Sequence, residues 1–224
     1  MKLYNATFSP YCIRVRAVIK HKRAPIQVVD PPGGLRSEEF KRLVPTGKVP
    51  SLELDSGTIL SESIALIEYL DDRFPDPPLK PAKAENRARM RQITQMADHY
   101  FAPAYAVLFG AIRSKAAPPD LEASLARAHE VLEQIARVAA PRDLLLGPDP
   151  TLADYALASH VWLYQRMPGV FGHATPALPK RMADWWESAR SLPALSAEWA
   201  PVHKALSAWI ESMGLDASKL SAPD

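Results

Sequence analysis

Proline placement constrains this chain more than any other feature of its sequence. There are 22 prolines against only 9 glycines, roughly twice ordinary proline usage. Spread evenly they would break every helix, because proline lacks the N–H and its ring clashes with the preceding turn. Instead they gather at Pro31–Pro32, Pro75 to Pro81, Pro118–Pro119, Pro141 to Pro150 and Pro176 to Pro179. The segments between are rich in Ala, Leu and Arg, which predicts helices separated by stiff connections.

The first 75 or so residues read differently from the rest. Lys2 to Ala6 is a strand candidate. Ser9 to Lys22 reads as a helix, with Ser9 as N-cap, Pro10 at the first helical position and Cys12, Val15 and Ile19 as an apolar stripe. Its basic end, Lys20 to Arg23, suits the negative end of a helix dipole. Ile26 to Asp30 is a second strand, and strand–helix–strand order predicts a parallel pair. Ser37 to Val44 is a short helix capped by Ser37. Pro50 to Asp55 alternates, with Pro50, Leu52 and Leu54 on one face and Ser51, Glu53 and Asp55 on the other. Asp55–Ser56–Gly57 turns the chain, Thr58 to Leu60 returns antiparallel, and Ser61 to Phe74 is a helix with Ile64, Leu66, Ile67 and Leu70 inward.

The run Pro75–Asp76–Pro77–Pro78–Leu79–Lys80–Pro81 cannot lie inside a helix and marks a domain boundary. Beyond it the pattern is helical: Lys83 to Ser114, Asp120 to Ala140, Leu152 to Arg166, Lys180 to Ser191 and Ser196 to Met213. Leu152 to Arg166 is apolar on most sides, which places it at the centre of a bundle. The expected organisation is a βαβαββα domain over 1–76, a linker over 77–83 and an all-helical domain over 84–224.

Composition narrows the function. The single cysteine, Cys12, cannot form an intramolecular disulfide, a C-x-x-C pair or a multi-cysteine zinc site. No metal site is expected; His99 and His160 stand isolated and read as structural. A net charge of +2 carries no general signal for nucleic acid or a membrane surface. No apolar run approaches the roughly 18 residues that span a bilayer, and the N-terminus lacks a secretory core. The expectation is a cytoplasmic protein.

Three stretches carry chemistry. They are Ser9–Pro10–Tyr11–Cys12–Ile13–Arg14–Val15–Arg16, Pro45–Thr46–Gly47–Lys48–Val49–Pro50–Ser51–Leu52, and Ser61–Glu62–Ser63–Ile64–Ala65–Leu66–Ile67–Glu68–Tyr69–Leu70. In this order and spacing the chain resembles the serine-type cytosolic glutathione transferases, of bacterial or tau/zeta-like kind. Thr151–Leu152–Ala153–Asp154 resembles the cap that family members carry before their central helix. The resemblance covers essentially the whole chain. It implies a thioredoxin-like N-terminal α/β domain, an all-α domain and glutathione as co-substrate. The implied reaction joins the glutathione thiolate to a small hydrophobic electrophile, as in detoxification, on a homodimer.

Ser9 then has two readings. It is an N-cap, or it is the catalytic hydroxyl that stabilises the thiolate at a helix N-terminus. A free thiol, with pKa near ~8.5, is mostly protonated at neutral pH. Cys12, one turn on, reads as a packed, inert thiol. The resemblance assigns glutathione binding to Lys48, Val49, Pro50, Glu62 and Ser63. Val49–Pro50 matches the family's cis-proline, whose preceding residue pairs with the tripeptide like an added strand. Lys48 meets the glycine carboxylate, Ser63 the γ-glutamyl carboxylate and Glu62 the α-amino group. Without the resemblance these are a surface charge, an edge-strand proline and a helix cap. Tyr11 and Tyr105 are candidates for the electrophile pocket, with Phe8, Phe101 and Trp162 behind them. Trp185 and Trp186 read as packing between late helices.

Two rivals share the scaffold. One is a zeta-type maleylacetoacetate isomerase, against which Ser9–Pro10–Tyr11 stands in place of Ser-Ser-Cys. The other is a non-catalytic, transcription-associated binding protein resembling the stringent starvation proteins.

Overall fold

The computed structural model describes residues 1–118 and 120–220. Pro119, in the third proline cluster, and residues 221–224, the end of the expected helical domain, lie outside the described residues. The chain divides into two compact units, Met1–Pro78 and a second from Leu79 on.

The first unit follows the order β1 (Lys2–Tyr4), α1 (Pro10–His21), β2 (Gln27–Val29), α2 (Glu38–Leu43), β3 (Ser51–Glu53), β4 (Ile59–Ser61), α3 (Ser63–Arg73). The sheet runs β2-β1-β3-β4, with β1 and β2 parallel and the other two pairings antiparallel. Ser37 caps α2 as expected, accepting the Phe40 N–H at 3.0 Å. Register fixes the faces. Leu3 lies opposite Leu52, and both are fully buried. Tyr4 lies opposite Ser51 on the other face, where Tyr4, Phe40 and Val44 form a core cluster with Val29, Val49 and Ile59 packed against it. Ser51 is therefore buried, although alternation sets it on the face opposite Leu52. A sheet covered on both sides has no outer face, and alternation cannot report that. The Ser51 hydroxyl is satisfied by the Lys48 carbonyl at 3.0 Å and by the Ser61 hydroxyl at 2.9 Å.

A buried ion pair closes the far end of this unit. Lys22 Nζ lies 2.5 Å from Asp71 Oδ1 and also donates to the Pro77 carbonyl. Two donors' worth of partners offset the cost of burying the ammonium.

The second unit holds α4 (Ala84–Met96), α5 (Ala102–Tyr105), α6 (Val107–Ser114), α7 (Leu121–Ala139), α8 (Leu152–Arg166), α9 (Lys180–Arg190) and α10 (Pro193–Ser212). The single helix expected over Lys83 to Ser114 is interrupted. A π turn at Ala97–Phe101 joins α4 to α5, next to Pro103, which cannot donate to the turn before it. Pro201 lies inside α10, so not every proline marks a boundary. Every α8 residue except the half-buried Gln165 is buried, as its apolar circumference predicted. Asp154 in its first turn is a fully buried carboxylate. It accepts from Leu145 N–H at 3.0 Å, Thr151 N–H and Oγ1 at 2.8 Å each, and Trp185 Nε1 at 2.9 Å. Trp185 and Trp186 pack as expected, within a chain of rings that reaches Trp199 and Trp162.

Candidate functional site

The sheet brings three loops to one end. Tyr4 at the end of β1 pairs with Ser51 at the start of β3, and Ser51 pairs with Ser61 at the end of β4. The loop leaving β1, the Lys48–Val49–Pro50 approach to β3 and the Glu62–Ser63 exit from β4 must therefore meet there. These are the stretches that carry Ser9, Lys48, Val49, Pro50, Glu62 and Ser63.

Ser9 occupies the N-cap position of α1, with φ −70° and ψ 124°, and its carbonyl accepts from Cys12 and Ile13 N–H at 2.9 Å each. Its hydroxyl makes no cap bond, contrary to the expectation of a capping side chain. It faces the Cys12 thiol instead, whose ionised form it favours. The loop carrying Ser9 is braced from inside the helix, since Arg16 donates to the Asn5 side chain and to the Thr7 carbonyl.

Cys12 is fully buried. Burial pushes its thiol up, opposed by the Ala6 N–H at 3.4 Å, the Ser9 hydroxyl and the nearby Arg16 and Arg14 charges. A thiol held neutral and enclosed is a poor nucleophile. That agrees with its reading as a packed residue.

The Val49–Pro50 peptide bond is cis. Val49 is half-buried and exposes no backbone partner within the sheet, because β3 begins at Ser51. Lys48 is exposed beside it. Glu62, at φ 70° and ψ 109°, is a non-glycine residue in the left-handed half of backbone space. Such a conformation costs on the order of 1–3 kcal/mol and persists only where its surroundings fix it. It leaves the Glu62 side chain exposed while Ser63, first residue of α3, is 6% exposed.

Arg36 was missed by sequence reasoning. It lies in the glycine-rich loop before α2, itself at φ 61°. Gly47, at φ 60°, packs so closely on this loop that a β-carbon there would stand 3.2 Å from the Arg36 Cα. The Arg36 backbone is thus held against the loop that carries Lys48, and both residues are exposed. The Gly33–Gly34 pair was the available signal, since two left-handed glycines imply a loop shaped for a purpose.

The pocket candidates separate. Tyr11 is 37% exposed, with the Arg14 guanidinium 5.2 Å from its ring centre. Tyr105 is not a pocket wall within its unit. It is 1% exposed, its hydroxyl lies 2.7 Å from His160 Nδ1, and Phe101, Phe109 and Tyr164 surround it. Aromatic spacing on a helix does not distinguish a packed ring from an open one. Phe101 and Trp162 are fully buried as well. His160 also lies 3.1 Å from Asp98, which suits the structural role expected of it. Among the described residues no group of three or more His, Cys, Asp or Glu is placed to hold a metal ion, and no helix is long and apolar enough to cross a membrane.

A thioredoxin-like sheet whose loops converge in this way, followed by an all-helical unit, defines the class of two-domain thioredoxin-like proteins. Residues 3–78 match the glutathione S-transferase N-terminal domain and residues 118–212 the glutathione S-transferase C-terminal domain. The chain belongs to the cytosolic glutathione transferase family. It is similar to a stringent starvation protein A homolog of Coxiella burnetii, 27% identical over 182 residues that cover 81% of this chain and 83% of that one. It is 34% identical to a maleylacetoacetate isomerase of Pseudomonas aeruginosa over 101 residues, which cover 43% of this chain and 48% of the isomerase. Among solved structures it superposes on a glutathione S-transferase of Methylobacterium radiotolerans in complex with glutathione sulfonate, with a TM-score of 0.70 and 25% identity, over 88% of this chain and 93% of that one.

Proposed function

We propose that this protein binds glutathione and transfers its thiolate to small hydrophobic electrophiles. The observation that carries the reading is the convergence of Ser9, the Val49 edge and the left-handed Glu62 followed by buried Ser63 at one end of the sheet. Glutathione presents two carboxylates, one ammonium and one thiol along an extended backbone, and this end of the unit offers a counterpart to each. Val49 supplies main-chain N–H and C=O for the cysteinyl residue. The N-terminus of α3 and the Ser63 hydroxyl receive the γ-glutamyl carboxylate. Glu62 accepts from the α-ammonium, and Lys48 with Arg36 faces the glycine carboxylate.

The thiol then lies at the N-terminus of α1. The Ser9 O–H donates to sulfur, and the helix end adds partial positive charge. Both favour the thiolate, and its proton leaves to solvent. Each unit by which the thiol pKa falls corresponds to about 1.4 kcal/mol. The thiolate attacks the electrophile, and the new carbon–sulfur bond replaces the bond to the leaving group or adds across an activated double bond. The reading includes a homodimer in the cytoplasm; sedimentation velocity tests the first and cell fractionation the second.

The test is glutathione binding by calorimetry together with turnover of 1-chloro-2,4-dinitrobenzene by wild type and Ser9→Ala. Binding with turnover, and loss of at least about tenfold in kcat for Ser9→Ala, is the expected result. Binding and turnover unaffected by Ser9→Ala overturn the assignment of Ser9.

The 81% coverage of this chain by its similarity to a stringent starvation protein A homolog supports a second reading, a non-catalytic binding protein on the same fold. The similarity to maleylacetoacetate isomerase supports a third, isomerisation with glutathione as cofactor. Absence of glutathione binding favours the second. Glutathione-dependent isomerisation of maleylacetoacetate without conjugation favours the third.

A further inference from the structure

We propose that Arg16 is a positioning residue for the thiolate-stabilising hydroxyl: its guanidinium ties the loop leaving β1 to α1 and thereby sets where Ser9 stands. The inference rests on the glutathione reading above and deepens it. The sequence places the residue first. Arg16 follows Ser9 by seven positions, two helical turns, so it returns to the same face of α1. Long side chains on a helix lean toward its N-terminus, which brings this one to the loop that enters the helix. There it makes two bonds. Arg16 donates to the Asn5 Oδ1 and to the Thr7 carbonyl, the second at 2.8 Å. Its two partners are the residues on either side of Ala6. Arg16 and Asn5 are each 7% exposed, so water competes little for their bond. Asn5 is fixed from the sheet side as well, where its N–H donates to the Val29 carbonyl at 3.0 Å. The Ser9 N–H in turn donates to the Ala6 carbonyl at 3.1 Å. Ser9 therefore hangs from the segment that Arg16 holds.

Ser9 needs such a hold. Its hydroxyl makes no cap bond, so the helix end does not fix the side chain. The place of Oγ then follows from the place of the Ser9 backbone, which the loop sets on one side and α1 on the other. A hydrogen bond to sulfur is directional, and a displacement of about 1 Å at a reacting centre costs on the order of 10²-fold in rate. A guanidinium suits the task because its planar fork presents two donors at a fixed spacing. An ammonium carries the same charge on one atom and cannot span both acceptors in the same way. The fork, rather than the charge, is what the proposal requires.

Steady-state kinetics with glutathione and 1-chloro-2,4-dinitrobenzene test this on wild type, Arg16→Lys, Ser9→Ala and the double variant, with circular dichroism melts showing that each is folded. Arg16→Lys is expected to lower kcat about three- to tenfold, with KM for glutathione nearly unchanged. In the Ser9→Ala background the same change is expected to lower kcat by less than about twofold, because the hydroxyl it positions is already gone. Asn5→Ala removes one acceptor at smaller risk to the fold, and is expected to lower kcat about two- to fivefold, again only where Ser9 is present. Wild-type kcat in Arg16→Lys overturns the role, since charge without the fork would then suffice. Equal losses in the two backgrounds overturn it too, because the effect would not pass through Ser9. Wild-type kcat in Asn5→Ala does the same, whether or not Arg16→Lys folds. A wild-type protein that binds no glutathione, or Ser9→Ala at wild-type kcat, overturns the reading beneath and the proposal with it, and both are measured first.

Discussion

Trp185, on α9, donates its indole N–H to Asp154 Oδ1, in the first turn of α8, at 2.9 Å. One buried carboxylate thereby joins two helices, the Leu145 loop and its own cap. Burial pushes the Asp154 carboxyl up, and its hydrogen bonds oppose that. Replacing Asp154 by Ala leaves four donor contacts without their acceptor. Each buried donor left unsatisfied costs about 1–3 kcal/mol. Asp154→Ala is expected to lose about 3 kcal/mol or more of stability in urea unfolding. Asp154→Asn, which keeps one acceptor oxygen, is expected to fall between.

Gly47 is required twice, by its φ of 60° and by the nearness of the Arg36 backbone and the Lys41 side chain. Gly47→Ala is expected to cost about 1–2 kcal/mol for the left-handed backbone. It should also push the Arg36 loop away from Lys48. Weaker glutathione binding in calorimetry, at unchanged helix content by circular dichroism, is the expected pair of results.

Arg36 and Lys48 are expected to act on binding alone. A carboxylate contact remote from sulfur holds ground state and transition state equally, so Arg36→Ala and Lys48→Ala should raise KM for glutathione with kcat nearly unchanged. Exposed charge contacts are worth about 0.2–1 kcal/mol each, which sets a few-fold rise per variant. The double variant, measured by steady-state kinetics, should approach the product of the two.

The Tyr4 hydroxyl donates to Glu53 Oε2 at 2.5 Å. That bond, with burial, pushes the Tyr4 phenol up to about 12. The same bond, helped by Lys2, holds the Glu53 carboxyl below its ordinary value. The raised phenol contributes stability that is intact below pH about 10 and lost as pH climbs toward about 12. The lowered carboxyl contributes stability that is intact above the ordinary glutamate range and lost as pH falls below it. Tyr4→Phe should therefore flatten both flanks of the stability-against-pH curve, measured as urea midpoints. Equal slopes in the two proteins would sink this account.

Much of this was legible in the residues, for physical reasons that also mark the limit. Proline clusters and N-cap residues bound the helices because both act within one turn. The Ser37 cap and the span of α8 follow from such local rules. The burial of Ser51 does not, because covering a sheet on both faces is a long-range event. Nor does the π turn at Ala97–Phe101, where apolar spacing ran on unbroken. Within the site, motifs named Ser9, Val49 and Glu62, while the left-handed backbone of Glu62 depends on β4 and α3 being fixed first. Arg36 escaped because its place depends on contact with Gly47, eleven residues on in sequence. Tyr105 and Tyr11 carry the same ring, and only packing tells the enclosed one from the open one.

The enclosure of Cys12 has a practical consequence. The native chain presents no accessible thiol of its own, so a thiol reagent added to the folded protein reports on whatever sulfur a ligand brings. The same reagent should count one thiol per chain once the protein is unfolded. A single cysteine introduced anywhere on the surface would then be the sole target for a dye or spin label, with no background to remove.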